Sequence, residues 1–292
     1  MIADVEVSIA TPGVDQLGHV VGALRDWQRD SAPVQLHPGD LGSYQRFGAE
    51  RLAAALRVWS SSEGPVAIGF LDGPDVLRMT VVPDAWHDED VARRVVADAT
   101  DPQRGVLPAG EVAIEAPAGT RVRELLDEVG WRAGEAWAPL RRDLSAPVEA
   151  PDLRIAVIEA GREADFTAVH RSAWGSDTFT DELWRAMVAG SAVVEARCLL
   201  GYDDLGAAVA GVTVWSAGPS KPGLLEPMGV HADHRGRGHG RAICLAAAAE
   251  LRRLGSSSAL VCTTSSLTAA VATYRSAGFD PLPERLDRIR QA

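Results

Sequence analysis

The stretch from Leu224 to Leu254, LLEPMGVHADHRGRGHGRAICLAAAAELRRL, places the tightest limit on what this chain can fold into. It reads as a strand (Leu224 to Val230), a glycine-rich loop (Arg235-Gly236-Arg237-Gly238-His239-Gly240) and a helix from about Gly240 to Leu254. Ile243, Leu245, Ala246, Ala249 and Leu254 recur at helical spacing as sheet-facing positions, and Gly255 stops the helix. A glycine lacks Cβ, so its backbone adopts left-handed dihedrals and approaches a ligand closely. The free N–H groups of a helix's first turn converge on one place, where the dipole favours negative charge. Arg235, Arg237 and Arg241 add positive charge. The predicted unit is an α/β element with a pyrophosphate cradle at its turn.

A second segment, Ala259 to Phe279, reads as a strand (Ala259 to Thr263), a polar turn and a helix (about Thr268 to Ala277) before Gly278-Phe279. Together the two segments resemble the GNAT acyltransferase superfamily. The family's phosphate loop, Arg/Gln-x-x-Gly-x-Gly/Ala, is matched by Arg235-x-x-Gly238-x-Gly240. Its Tyr ahead of Gly-Phe is matched by Tyr274-Arg275-Ser276-Ala277-Gly278-Phe279. The resemblance covers Leu153 to Ala292. It departs from the family at Leu267, where an Asn that helps to hold the cofactor is common; Ser265, Ser266 and Thr268 flank the position.

The first half repeats the order of elements. A strand is expected over Val5 to Ala10, helices over Val14 to Arg29 and Tyr44 to Trp59, and strands over Gly64 to Phe70 and Val76 to Val82 around Asp72-Gly73-Pro74. A helix over Asp88 to Ala99, a strand over Glu111 to Glu115, a helix over Arg121 to Val129 and a strand near Trp137 to Leu144 follow. Ser145 to Asp152 reads as a linker. Then come a strand (Leu153 to Glu159), helices (Ala164 to Trp174 and Thr180 to Ala189), a hairpin (Val193 to Tyr202 with Ala207 to Ser216), the two motif segments, and Leu286 to Arg290, expected to close the second sheet. Val82 and Val230 stand 148 positions apart, as do Gly130 and Gly278. The fold class is therefore α/β with mixed sheets, as two tandem GNAT-like domains, 1–146 and 147–292. In the first copy His87 to Ala92 replace Arg235 to Gly240, without glycine and with Asp88, Glu89 and Asp90. Carboxylates repel phosphate, so this copy is expected to bind no CoA.

Of 292 residues 46% are hydrophobic, enough for a core in each half, and the net charge of −11 argues against nucleic acid as a partner. No apolar run reaches the length of a membrane helix and Asp4 and Glu6 are unlike a signal peptide, so no membrane partner and a cytoplasmic location are expected. Cys198, Cys244 and Cys262 lie in apolar patterns and read as small core residues. His231-x-x-His234 lacks a third ligand, and no metal is expected.

The resemblance implies acetyl-CoA as co-substrate and transfer of its acetyl group to an amine, most simply a small-molecule amine. Its pyrophosphate would sit on Arg235, Gly236, Arg237, Gly238, His239, Gly240 and Arg241, its pantetheine amides on the strand at Met228 and Val230, and the Met228 N–H would face the thioester oxygen. Gly229 is a candidate bulge. Tyr274 is the candidate acid for the leaving sulfur. Glu226, two residues before Met228 and so on its face of the strand, is the candidate base. Trp174, Phe179, Trp184, His170, Asp177 and Asp181 are candidates for the acceptor pocket. The alternatives are a non-catalytic CoA-binding or sensing protein and a protein lysine or N-terminal acetyltransferase. A monomer, with paired copies serving as an internal dimer, or a homodimer is expected.

Overall fold

The computed structural model describes residues 7–190 and 195–291. The N-terminal half runs β1 (Ser8–Ala10), α1 (Leu17–Trp27), α2 (Pro38–Tyr44), α3 (Ala49–Ala55), β2 (Leu56–Ser61), β3 (Gly64–Leu71), β4 (Val76–Val81), α4 (Glu89–Thr100), β5 (Val112–Glu115), α5 (Arg121–Glu128) and β6 (Arg132–Asp143). The C-terminal half runs β7 (Arg154–Val157), α6 (Glu163–Trp174), α7 (Asp181–Ala189), β8 (Glu195–Tyr202), β9 (Ala208–Ser216), β10 (Gly223–Val230), α8 (His239–Arg253), β11 (Ser258–Thr264), α9 (Thr268–Ser276), β12 (Asp280–Pro281) and β13 (Arg285–Arg290). The expected strands at Val5 and Val193 begin outside the described residues. From β4 to β6 the order of elements recurs at β10 to β13, about 148 residues further on.

Tyr44 to Trp59 is not one helix. The helix is confined to α3, and Leu56 to Ser61 extends as β2, with Trp59 and Leu56 buried on its two faces. The run Arg57-Val58-Trp59 favours a strand, and β2 pairs with β3 from Leu56↔Phe70 to Ser61↔Gly64. A further helix, α2, lies upstream. Pro38 sits in its first turn, and the His37 ring Nδ1 accepts from Gly39 N at 2.9 Å while Asp40 accepts from His37 N at 2.6 Å, a reciprocal cap.

The strands form one continuous sheet in the order β1-β2-β3-β4-β5-β13-β6-β11-β10-β9-β8-β7. The order corrects the expectation that Leu286 to Arg290 closes the second sheet: the copies exchange their last strands. β13 pairs with β5 of the first copy (Arg288↔Ile114, Arg290↔Val112), and β6 pairs with β11 of the second from Ser258↔Asp143 to Thr264↔Trp137. β6 begins earlier than expected, at Arg132, because its first half pairs with β13 (Arg285↔Trp137, Ile289↔Arg132). Arg285 and Arg288 of β13 are buried and bind Glu115 and Asp127 of the first copy, the latter pair at 2.5 Å.

The copies also share a core. Leu24, Leu36, Leu41, Leu56 and Phe70 of the first pack in one cluster with Phe166, Trp184, Leu200 and Trp215 of the second. At its centre α2 lies on Trp215. A Cβ added to Gly39 would sit 2.6 Å from the Trp215 Cβ, and one on Gly42 would overlap its ring. Both glycines are present so that the helix backbone can rest against the indole. His37 completes the contact: its Nδ1 is an acceptor, so the neutral ring donates from Nε2 to Pro222 O at 3.1 Å, and burial holds its pKa down at about 4.

A Gly42→Val variant is expected to destabilise the whole chain by about 1–3 kcal/mol, the usual cost of overpacking. Urea unfolding followed by tryptophan fluorescence checks this; one shifted cooperative transition is expected, because the shared core ties the halves together. Residues 147–292 expressed alone, lacking β6, are expected not to give such a transition.

Candidate active site

Strands β10 and β11 run parallel and pair only at Gly223↔Ala259 and Leu224↔Leu260. Beyond Leu224 they part, and β10 is left with one open edge. His231 N donates to Val209 O of β9, so the alternation of a strand turns the amides of Met228 and Val230 to the opposite side, into the split.

The pairing of β10 with β9 slips by one residue between Leu225↔Val214 and Met228↔Val212. The bulge therefore lies at Glu226-Pro227 and not at Gly229. Pro227 has no N–H to give to a ladder, which is why the extra residue falls there. The bulge also breaks the two-residue alternation between Glu226 and Met228, so the expectation that they share a face does not hold. Gly229 makes room for packing instead. A Cβ there would meet Ala173 Cβ and the Trp174 ring at 2.5 Å, so its absence lets the end of α6 cross the strand.

At the end of β10 a single 3₁₀ turn, Ala232–His234, leads into the glycine loop. Gly236 (φ 75°) and Gly238 (φ 83°) are left-handed, with open space where a Cβ would be, so glycine is there for its dihedrals. Gly240 serves packing, with Thr273 Cγ2 2.8 Å from a Cβ placed on it. Gly238 caps α8 without a side chain, and the first helical bond is Ala242 N to Gly238 O at 3.1 Å. Among the described residues, no acceptor is bonded to the N–H groups of Gly236, Arg237, Gly238, His239, Gly240 or Arg241. Six consecutive donors thus stand open at the positive end of a 15-residue helix.

The arginines differ from one another. Arg241 is bound to Ser276 O at 2.9 Å and to Glu149 at 3.4 Å, so part of its charge is already answered within the protein. Arg235 reaches Ala173 O and Arg237 reaches Asp233 O, and among the described residues neither has a carboxylate partner. His231, His234 and His239 line the loop without forming, among the described residues, a metal-type cluster.

The same place in the first copy is closed. The Asp88 carboxylate accepts from Asp90 N at 3.0 Å and Val91 N at 2.9 Å, occupying two of the donors at the start of α4. Trp86 Nε1 bonds to Val81 O at the end of β4, and Arg121 is held by Glu89 and Glu128.

Tyr274 lies on α9, buried beside the split, its ring edge-on to Phe279 at 6.1 Å. Its hydroxyl has no bonded partner among the described residues, and burial pushes its pKa well above the ordinary phenol value, with Cys244 and Glu226 adding to the shift. Leu267 is exposed and is itself the N-cap of α9, where its side chain makes no capping bond. Cys244 and Cys262 are pushed up by burial to about 12 and about 11, so both are inert thiols.

Glu226 is half-buried where the copies meet. Its backbone oxygen accepts from Trp215 Nε1 at 2.6 Å. Burial, with the negative charge of Asp40, Asp72 and Glu115 against the opposing Arg78, pushes its carboxyl up to about 8. Three of those neighbours are carboxylates of the first copy, which the sequence around Glu226 does not contain. Arg78 is bound by Glu115 at 2.9 Å and Asp40 at 3.0 Å. Of the acceptor-pocket candidates, Trp184 is core, while His170 stacks on Trp174 (4.2 Å) and packs on Phe179 (4.3 Å), lining a narrow crevice with Pro227 and Gly229. Asp181 accepts from Thr167.

The glycine loop thus opens toward the split between β10 and β11 with donors suited to an anion. Residues 162–279 match the Acetyltransferase (GNAT) family, a family that uses acetyl-CoA. The fold of the whole chain is similar to that of a tandem GNAT protein from the clavulanic acid biosynthesis pathway (15% identity, 98% of each chain, TM-score 0.62). It is also similar to a GCN5-related N-acetyltransferase from Sphaerobacter thermophilus (17%, 97% of this chain and 95% of that, TM-score 0.60) and to a GNAT-family acetyltransferase from Colwellia psychrerythraea (14%, 98% and 100%, TM-score 0.60). No curated protein matches the chain in sequence. Among the described residues, no helix is long and apolar enough to cross a membrane.

A carboxyl whose pKa is raised by folding contributes stability at low pH, which is lost as the pH rises from about 4.5 through about 8. Glu226→Gln is therefore expected to leave stability at pH 5 close to wild type and to raise it at pH 9. Urea midpoints at the two pH values check the sign.

Proposed function

We propose that the C-terminal copy transfers the acetyl group of acetyl-CoA to the amine of a small acceptor bound where the copies meet, and that the N-terminal copy binds no CoA. The six open donors from Gly236 to Arg241 carry this reading, set against the self-capped start of α4. They would hold the pyrophosphate, with Arg235 and Arg237 beside it; Met228 and Val230 would pair with the pantetheine amides. When bound, acetyl-CoA supplies the activated acyl carbon.

Glu226, as carboxylate, takes the proton from the amine, directly or through water, so that the nitrogen lone pair can attack. The Met228 N–H would donate to the oxygen on which charge grows. The carbon–nitrogen bond forms as the carbon–sulfur bond breaks. Tyr274 is neutral at every working pH and donates a hydrogen bond toward the departing sulfur. Its raised pKa makes proton transfer to the sulfur uphill, so the sulfur leaves as a thiolate steadied by this hydrogen bond, and the proton taken by Glu226 passes to solvent. A cytoplasmic location and a monomeric or dimeric state complete the proposal.

Calorimetric titration of acetyl-CoA is expected to give one site per chain, lost in Gly238→Asp. Two sites, or an unaltered site in the variant, would remove the assignment. For the chemistry, the rate at low acceptor concentration is expected to rise with pH to a limb near pH 8, because the base form of Glu226 grows through that range. Glu226→Gln should abolish that limb, and Tyr274→Phe should lower kcat roughly 10- to 100-fold at unchanged acetyl-CoA affinity.

A further inference from the structure

The acceptor end of the site is built from the first copy. The segment after α2 runs between the copies: Gln45 presses on Gly190 at the end of α7, leaving no room there for a Cβ, and Gly42 rests on the Trp215 ring, whose nitrogen holds the Glu226 carbonyl. Arg46 sits on this segment. Its Nη1 is fixed by Ser43 O at 3.0 Å and Ser43 Oγ at 2.8 Å, and its guanidinium lies over the Phe47 ring at 4.7 Å. Its Nε and Nη2 have no acceptor, and no carboxylate lies within salt-bridge distance, among the described residues. Arg78 and Arg285 on the same side of the junction are both consumed by Glu115 and its neighbours. Arg46 is therefore a half-buried, pre-oriented cation with its donor edge unspent.

Its surroundings say what that edge faces. The Asp72 and Glu226 carboxylates lie near enough to act on the charge of Arg46, and Arg46 lies near enough to act on the His170 ring. Burial, then Arg46 and Arg171, hold the His170 pKa down at about 4, so the ring adds no charge at neutral pH. Asp72 spends one oxygen on Arg78, at 3.5 Å. Carboxylates, suited to an ammonium group, thus stand near one open guanidinium, suited to an anion.

Resting on the acetyltransferase reading above, we infer that the acceptor is an amine bearing an anionic group, carboxylate or phosphate, and that Arg46 of the non-catalytic copy binds that anion and orients the amine to Glu226. A neutral amine would leave the Arg46 donors unpaired in a half-buried site, which costs binding; an anionic one satisfies them. Arg46 touches the acceptor and not the cofactor, so its removal changes acceptor KM and acceptor choice.

The test uses the full chain, its Arg46→Met and Arg46→Lys variants, and paired probes: L-amino acids against their carboxamides, and glucosamine 6-phosphate against glucosamine. CoA release is followed with a thiol reagent, and binding of acetyl-CoA and of each probe to the CoA-loaded protein by calorimetry. The expected result is that wild type favours the anionic member of one pair by roughly 10- to 100-fold in kcat/KM, the worth of a charge-assisted hydrogen bond. Arg46→Met should lose that preference through KM, Arg46→Lys should recover part of it, and acetyl-CoA should bind all three alike. The pair that discriminates tells carboxylate from phosphate. Equal use of blocked and anionic acceptors by wild type, or a preference that survives in Arg46→Met, overturns the inference while acetyl-CoA binding stands. Failure of acetyl-CoA to bind wild type overturns the parent reading and the inference with it.

Discussion

The contact of α2 with the indole of Trp215 is what the rest of the molecule depends on. The first copy brings Gly39 and Gly42 to one side of the ring. The ring nitrogen holds the Glu226 carbonyl, at the point where β10 slips register and leaves the sheet pairing. The placement of the candidate base is thus coupled through one side chain to a helix of the other copy. An apolar contact of this kind tolerates little change in shape. It accounts for two glycines in a helix of seven residues, which would be a poor choice for helix stability alone.

The two copies show how one fold gains or loses a phosphate site through the start of a single helix. In α8 the capping residue is a glycine, so the donors are left open. In α4 it is Asp88, whose carboxylate takes two of them. The local stability of the two helix ends runs opposite to their use. The capped end is satisfied within the protein, while the open one needs water or an anion. A binding site at a helix terminus is in this sense an omission, held in place by the rest of the sheet.

Much of this is legible in the sequence. The loop from Arg235 to Gly240, the helix after it, Tyr274 ahead of Gly278-Phe279 and the 148-residue spacing carry the fold class and the twofold repeat, because glycine dihedrals and helical periodicity are local properties. What is not legible is non-local. The exchange of β6 and β13 preserves each strand's own pattern and changes only its neighbour, which periodicity does not record. Helix α2 is poor in helix formers and owes its form to Trp215, far along the chain. The bulge at Glu226-Pro227 has a signal in the proline, which a plain two-residue alternation ignores. The environment of Glu226, with Asp40, Asp72 and Glu115 around it, requires knowing which faces meet. Arg46 belongs to no motif, and a copy without a phosphate loop gives no local reason to single it out.

The strand exchange has a consequence for how the chain is made. A ribosome delivers the N-terminal half first, and a domain of this size commonly folds as it emerges. Here that half lacks an interior strand, since the partner of β5 is β13, written at residues 285–290. Until residues 285–290 are made, the growing chain carries β5 as a bare edge and Glu115 without Arg285. The finished β6 meanwhile waits for β11, more than a hundred residues downstream. Completion of the first copy and completion of the second are therefore a single late event, and a chain released early is left unfinished in both halves at once.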